Sequence, residues 1–94
     1  MIGFYKVTGK SMEPSFREGD YVLVNRLSRM KAEDVVVLEH PKTKQLVLKR
    51  VLKRRKDKLF VIGDNSSHSS DSRSFGWVGI SRIIGKVWWR IAKI

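Results

Sequence analysis

The feature that most constrains this chain is a series of short β-branched and aromatic runs, each closed by polar turn residues. Asp20-Tyr21-Val22-Leu23-Val24-Asn25-Arg26 follows the turn signal Glu18-Gly19-Asp20. Asp34 to Glu39 is a continuous apolar run that stops at His40-Pro41. Pro41 to Lys44 reads as a turn into Gln45 to Leu52, and Arg54 to Lys58 as a second hairpin connection into Leu59 to Ile62. Ile80 to Ile84 and Gly85 to Ile91 read as a closing strand. Strands at such regular spacing predict one all-β domain over residues 1–94, a small antiparallel sandwich or partly open barrel. At most one short helical turn is expected. It belongs at Ser11 to Phe16, bounded by Pro14 and Gly19, or at Leu27 to Lys31.

Residues 63–76 break this pattern. The stretch holds six serines and no aliphatic residue, which by composition alone reads as a linker. A domain this small buries only about 60% of its unfolded surface, so it has little room for idle chain. Long irregular loops in compact domains tend to be functional, and Asp64, Asn65, Asp71 and Arg73 give this one chemistry a plain spacer lacks.

With no cysteine, a disulfide, a thiol nucleophile and a thiolate metal site are all excluded. Twenty Lys and Arg against nine Asp and Glu give a net charge of +11, which attracts polyanions or an anionic lipid surface. Seven of the ten residues from Lys49 to Lys58 are basic, a pattern that ordinarily marks a solvated hairpin. No stretch reaches the ~20 apolar residues of a transmembrane helix. Strand alternation puts Trp88 and Trp89 on opposite faces, so one is expected in the core. The other, beside Lys86, Arg90 and Lys93, could meet a bilayer interface.

A serine nucleophile needs a base. His40 and His68 can in principle complete a Ser-His-Asp triad with Asp71 or Asp64, although both read more simply as surface histidines. A lysine serves instead if burial lowers its pKa. Lys49 meets that demand best, because it lies inside an apolar strand between Val47-Leu48 and Val51-Leu52. Alternation places it on one face with Val47 and Val51, and from periodicity alone it is expected to point outward.

Three segments carry a resemblance. Val7-Thr8-Gly9-Lys10-Ser11-Met12-Glu13-Pro14-Ser15-Phe16, continuing through Gly19-Asp20-Tyr21-Val22-Leu23-Val24, resembles the nucleophile box of the signal peptidase I family. Leu48-Lys49-Arg50-Val51 resembles the box carrying that family's lysine base. Gly63-Asp64-Asn65 with Ser69-Ser70-Asp71-Ser72-Arg73-Ser74-Phe75-Gly76 resembles its third signature. They occur in the family's order across positions 7 to 78, and together they reverse the outward reading of Lys49. The resemblance is to the compact catalytic core, without the anchoring N-terminal region and large insertions of typical members.

The resemblance implies a barrel of the signal peptidase and repressor-protease type, with Ser11 as nucleophile and neutral Lys49 as general base. It implies that Ser69 orients the Lys49 amine, that Asp71 and Arg73 hold the loop by an ion pair, and that Asp64 pairs with Arg50. The Ser11 N–H would donate to the oxyanion. Gly9 and Lys10 would adjoin that hole, and Met12 and Pro14 would shape the turn and the substrate pocket. Some members carry a serine at the place of Gly9 whose hydroxyl completes the hole; here Thr8 or a backbone group would have to serve. No cofactor and no metal are implied.

The implied partner is a precursor polypeptide with an N-terminal signal or leader segment, together with peripheral contact to an anionic membrane; nucleic acid is not expected. The chain also resembles the small nickel-type superoxide dismutase maturation proteases through Val36 to Pro41 and Asp71 to Gly76. The expected location is the outer face of a membrane for a signal peptidase and the cytoplasm for a maturation protease. A reading from another class is a non-catalytic basic β-domain that binds nucleic acid by neutralising phosphates and stacking tryptophans. Self-cleavage, as in the related repressor-type proteins, is disfavoured because no cleavable segment is evident before Ser11.

Overall fold

The computed structural model describes residues 2–26 and 29–91. Seven strands dominate it: β1 (Ile2–Lys6), β2 (Tyr21–Asn25), β3 (Val35–Glu39), β4 (Leu46–Arg55), β5 (Lys58–Ile62), β6 (Val78–Gly79) and β7 (Ile83–Ile91). All neighbours are antiparallel in one sheet of order β1-β2-β7-β3-β4-β5-β6, curled into a half-barrel. The curl brings together strands that are not neighbours in the sheet. The Tyr5 hydroxyl on β1 donates to the Leu46 carbonyl on β4 at 2.9 Å. The fold is thus the partly open barrel form of the expected class.

Alternation explains the core. On the central strand β3, Val35 and Val37 enter a cluster with Val22, Val24 and Leu48, whereas Val36 and Leu38 enter another with Val51, Leu59 and Val61. Buried on both faces, β3 reads as a continuous apolar run, as interior strands do. The second face is closed by residues 63–76. That segment is ordered: it forms a 3-10 turn at Ser66–His68 and the four-residue helix α1 (Ser72–Phe75), whose N-cap Asp71 accepts from the Arg73 N–H. Phe75 packs on the second cluster, and the Ser72 hydroxyl accepts from the Val61 N–H at 2.8 Å. Another 3-10 turn, Ile80–Arg82, leads into β7.

Alternation alone would turn Lys49 outward, but the structure has the inward placement that the resemblance implies, and two other local expectations differ from it. Lys49 is only 3% exposed, because Leu48 and Val51 beside it are buried as well and residues 63–76 cover its face. Trp88 and Trp89 are both exposed, at 59% and 66%, and Trp77 also reaches solvent, so none of the three is core. The reason lies in the β2–β7 register: Leu23 pairs with Trp89 but Val24 with Val87, so Trp88 occupies a bulge and simple alternation fails there. The helical turn also falls at Ser72–Phe75. Ser11 to Phe16 closes only a single turn by Phe16 N–H to Met12 C=O at 2.9 Å, and Leu27 to Lys31 lies partly outside the described residues.

Candidate active site

The turn that carries Ser11 is clamped on both sides. Val7 at its start is buried and exchanges backbone hydrogen bonds with Gly19 and Asp20. Met12 is buried in the first core cluster, fixing the residue that follows Ser11. The opposite side of the turn is tied to residues 63–65. Asn65 N–H donates to the Ser11 carbonyl at 2.8 Å, the Asn65 side-chain amide donates to the Lys10 carbonyl at 3.0 Å, and Asp64 N–H meets the Met12 sulfur at 3.4 Å. Among the described residues neither the Ser11 N–H nor its Oγ has a hydrogen-bond partner, and Ser11 lines the cleft.

Asp64 links this turn to β4. Its carboxylate takes two parallel bonds from the Arg50 guanidinium, at 2.9 and 2.8 Å, and one from the Ser15 hydroxyl at 2.7 Å. Those bonds from Arg50 hold the carboxyl below its usual range, against the opposing effect of burial. The fork geometry fixes direction as well as distance.

Lys49, the next residue of β4, donates from Nζ to the Ser69 hydroxyl at 3.0 Å, and Ser69 Oγ donates onward to Asp71 Oδ2 at 2.9 Å. Asp71 is 1% exposed and also accepts from the Gly63 N–H at 2.8 Å, the Arg73 N–H at 3.1 Å and the Arg73 guanidinium through two nitrogens. Burial pushes the Asp71 carboxyl up, but these donors more than offset it and hold the group well below the ordinary carboxylate range. For Lys49 burial wins: desolvation lowers its pKa, nearby Asp71 raises it in part, and Arg73 lowers it again. Because Arg73 already neutralises Asp71, the amine sits near a carboxylate without owning it.

Gly63 is the positioning residue that composition did not single out. A Cβ there would lie 2.2 Å from Ser69 Oγ, 2.6 Å from Ser69 Cβ and 2.7 Å from the Ser11 carbonyl oxygen. The nucleophile turn and the lysine's partner therefore meet across a position where only glycine fits. Gly9 has a φ of +77°, a left-handed conformation that favours glycine, and its N–H faces the Glu18 carboxylate at 3.3 Å.

A cleft of about 900 Å³ is lined by Thr8 to Ser11, by Lys49, His68 and Ser70, and by residues of the β3–β4 connection, His40, Lys42, Thr43 and Gln45 among them. Ser11 and Lys49 thus share one cleft, and no hydrogen bond joins them directly. Met12 and Pro14 do not line it. Met12 anchors the turn from behind, and Pro14 is exposed beyond it. Thr8 does line it.

The triad reading fails on partners. His68 is exposed and contacts Ser67, while the Asp64 and Asp71 carboxylates are bound as described, to no histidine. His40 is not a surface residue: it is 6% exposed, and both ring nitrogens are engaged away from Ser11. Among the described residues no group of three or more His, Asp or Glu could hold a metal ion, and no helix is long and apolar enough to cross a membrane.

Comparison with known proteins agrees with this geometry. Signal peptidase I of Bacillus caldolyticus is 29% identical, over 88% of this chain and 75% of that protein. Signal peptidase I V of Bacillus subtilis strain 168 is 29% identical over 88% and 82% respectively. Mitochondrial inner membrane protease subunit 1 of Homo sapiens is 27% identical over 95% and 69%. The profile of the Peptidase S24-like family matches residues 2–88, nearly the whole chain. A match over nearly the whole chain, together with the signal peptidase relatives, shows a serine peptidase of this superfamily, and the chain belongs to the Peptidase S24-like family.

Proposed function

We propose that the protein is an endopeptidase working by a Ser11–Lys49 dyad, which removes an N-terminal signal or leader segment from a precursor polypeptide. The observation that carries this reading is the Lys49 amine: buried, driven toward neutrality by desolvation, and opening on the same cleft as Ser11. A neutral amine donates one N–H to Ser69 and keeps a lone pair for the proton of Ser11 Oγ.

In the proposed reaction an extended peptide lies along the cleft, gripped by main-chain hydrogen bonds. Ser11 Oγ attacks the scissile carbonyl carbon as Lys49 takes its proton. The oxyanion meets the Ser11 N–H, a preorganised donor of the kind that usually contributes most to acyl transfer. Lys49 then returns the proton to the leaving amine, and an ester on Ser11 remains. Water, deprotonated by Lys49, attacks that ester, and as the intermediate collapses to the acid Lys49 passes the same proton to the departing Ser11 Oγ, which leaves the amine neutral again. Ser69 steers the amine throughout, held in turn by Asp71 and Arg73.

The names of the relatives motivate a signal or leader segment as client, and the resemblance to the signal peptidase I family implies small residues such as alanine before the cleaved bond. A superoxide dismutase leader is the second client to test. Nucleic-acid binding fares worse. Within the basic run Lys49 is buried, Arg50 is held by Asp64, and Arg54 is bonded to the Met30 and Lys56 carbonyls, so these cations serve the fold. Peptides bearing an Ala-x-Ala site or a dismutase leader, incubated with wild type and followed by mass spectrometry, should yield a defined cut. Ser11→Ala and Lys49→Ala should each abolish it with folding intact by circular dichroism. Turnover retained in either variant removes the dyad.

A further inference from the structure

His40 follows β3 directly and opens the turn to β4, and its ring does more than fill space. Its Nδ1 accepts from the Lys42 N–H at 3.1 Å and the Thr43 N–H at 3.2 Å. An imidazole nitrogen that accepts two N–H groups carries no proton, so the ring proton is on Nε2, which donates to the Ser70 hydroxyl at 3.1 Å. The backbone of His40 closes the same turn, its N–H donating to the Gln45 carbonyl at 2.8 Å and its carbonyl accepting from Lys44 N–H at 2.9 Å. Phe75 of α1 holds the ring edge-on, with centroids 4.9 Å apart.

Each end of this contact set matters to the cleft. Lys42, Thr43 and Gln45 line it together with Thr8 to Ser11, and Ser70 adjoins Ser69, the partner of Lys49. We propose that His40 is a positioning residue for substrate: its neutral Nε2–H ring braces the β3–β4 turn as the fixed wall against which the extended peptide binds, and ties that wall to the segment steering the amine. The proposal rests on the peptidase reading for its ligand. The ring itself does not touch the reacting atoms.

Two isosteres separate the two ends of the ring. In His40→Gln the side-chain amide reaches toward Ser70 but leaves the turn N–H groups without their acceptor. In His40→Asn the amide oxygen stands where Nδ1 stood and can accept from the turn. His40→Gln should raise KM for an Ala-x-Ala peptide about tenfold with kcat within about twofold, the size expected for one lost net hydrogen bond. His40→Asn should recover most of that loss. Loss of folded enzyme lowers apparent kcat and leaves KM alone, so the KM effect reports position and not mere stability. Unchanged KM in His40→Gln, or a His40→Asn variant as impaired as His40→Gln, overturns the proposal. Two measurements stand apart from catalysis. Titration of the same peptide into Ser11→Ala, with and without His40→Gln, should show the tenfold change in Kd. Nitrogen-15 NMR of the full chain should show His40 unprotonated at Nδ1 and protonated at Nε2. The opposite tautomer refutes the brace even if cleavage proceeds through Ser11, and a Ser11→Ala variant that still cleaves refutes the dyad even if the brace is real.

Discussion

Gly63→Ala tests whether the Ser11 turn and the Lys49–Ser69 pair are held in register by their close approach. The change adds one methyl group at a position outside the left-handed region, so the backbone itself accepts alanine. The obstacle is space. The new Cβ stands 2.2 Å from Ser69 Oγ, where unstrained contacts begin at 3.4 Å, so that oxygen must retreat by about 1.2 Å. Rotating Ser69 about its first side-chain torsion does not relieve the clash, because its own Cβ is at 2.6 Å and the Ser11 carbonyl at 2.7 Å. One of the two backbone segments has to move. Overpacking of this kind typically costs about 1–3 kcal/mol, which for a domain of this size lowers Tm by roughly 5–20 °C.

The catalytic cost should exceed the stability cost. Retreat of Ser69 by about 1.2 Å stretches its 3.0 Å bond to Lys49 beyond hydrogen-bond length. Retreat of Ser11 instead loosens the Asn65 clip that aims the nucleophile. Misplacement by about 1 Å in an active site costs on the order of 10²-fold in rate. The assay is kcat/KM on a cleavable leader peptide at a temperature where the variant is folded, with Tm by calorimetry. Gly79→Ala is the control, since its added Cβ meets nothing nearer than 3.7 Å and should leave both quantities within error. A Gly63→Ala enzyme within threefold of wild type would show that the register between these segments does not govern catalysis.

Lys49→Met should abolish cleavage yet stabilise the fold. Folding depresses the pKa of this lysine below its unfolded 10.5, so its charge opposes folding at every pH beneath that value and the penalty vanishes above it. The gain seen by urea titration at pH 7 should therefore shrink as the pH approaches 10.5; a loss of stability in Lys49→Met would contradict the desolvated amine. The same neutral amine should make kcat/KM rise with pH, about tenfold per unit until Lys49 is deprotonated. Arg73→Gln removes a cation that lowers the Lys49 pKa and should move this limb to higher pH, whereas Asp71→Asn removes an anion that raises it and should move the limb lower. Shifts in the same direction for both variants would mean that something other than Lys49 titrates.

How far the sequence reached follows from where cover comes from. Strands β2, β3, β4, β5 and β7 announced themselves because each apolar run ends in its own turn residues, a local signal. Strand β1 did not, since Ile2 to Lys6 offers five mixed residues and fourteen residues separate it from its partner β2. The two-residue strand β6 gave no signal either. Alternation ranks Lys49 with Val47 and Val51 but cannot say whether that face is wet; the answer is supplied by Ser69 and Asp71, some twenty residues on. The same long-range cover misleads at His40, where a histidine before proline reads as a surface turn until Ser70 and Phe75, thirty and thirty-five residues away, close over it. Both residues lie on the β3–β4 hairpin, and both are covered by the one polar segment that composition would assign to a linker. Such a segment cannot bury itself by hydrophobicity. It stays in place through Asp71, whose five donors come from Gly63, Ser69 and Arg73. A buried carboxylate therefore secures the segment, and the segment covers and desolvates the amine, so the lowered pKa on which the proposed base depends has its origin in the polar loop.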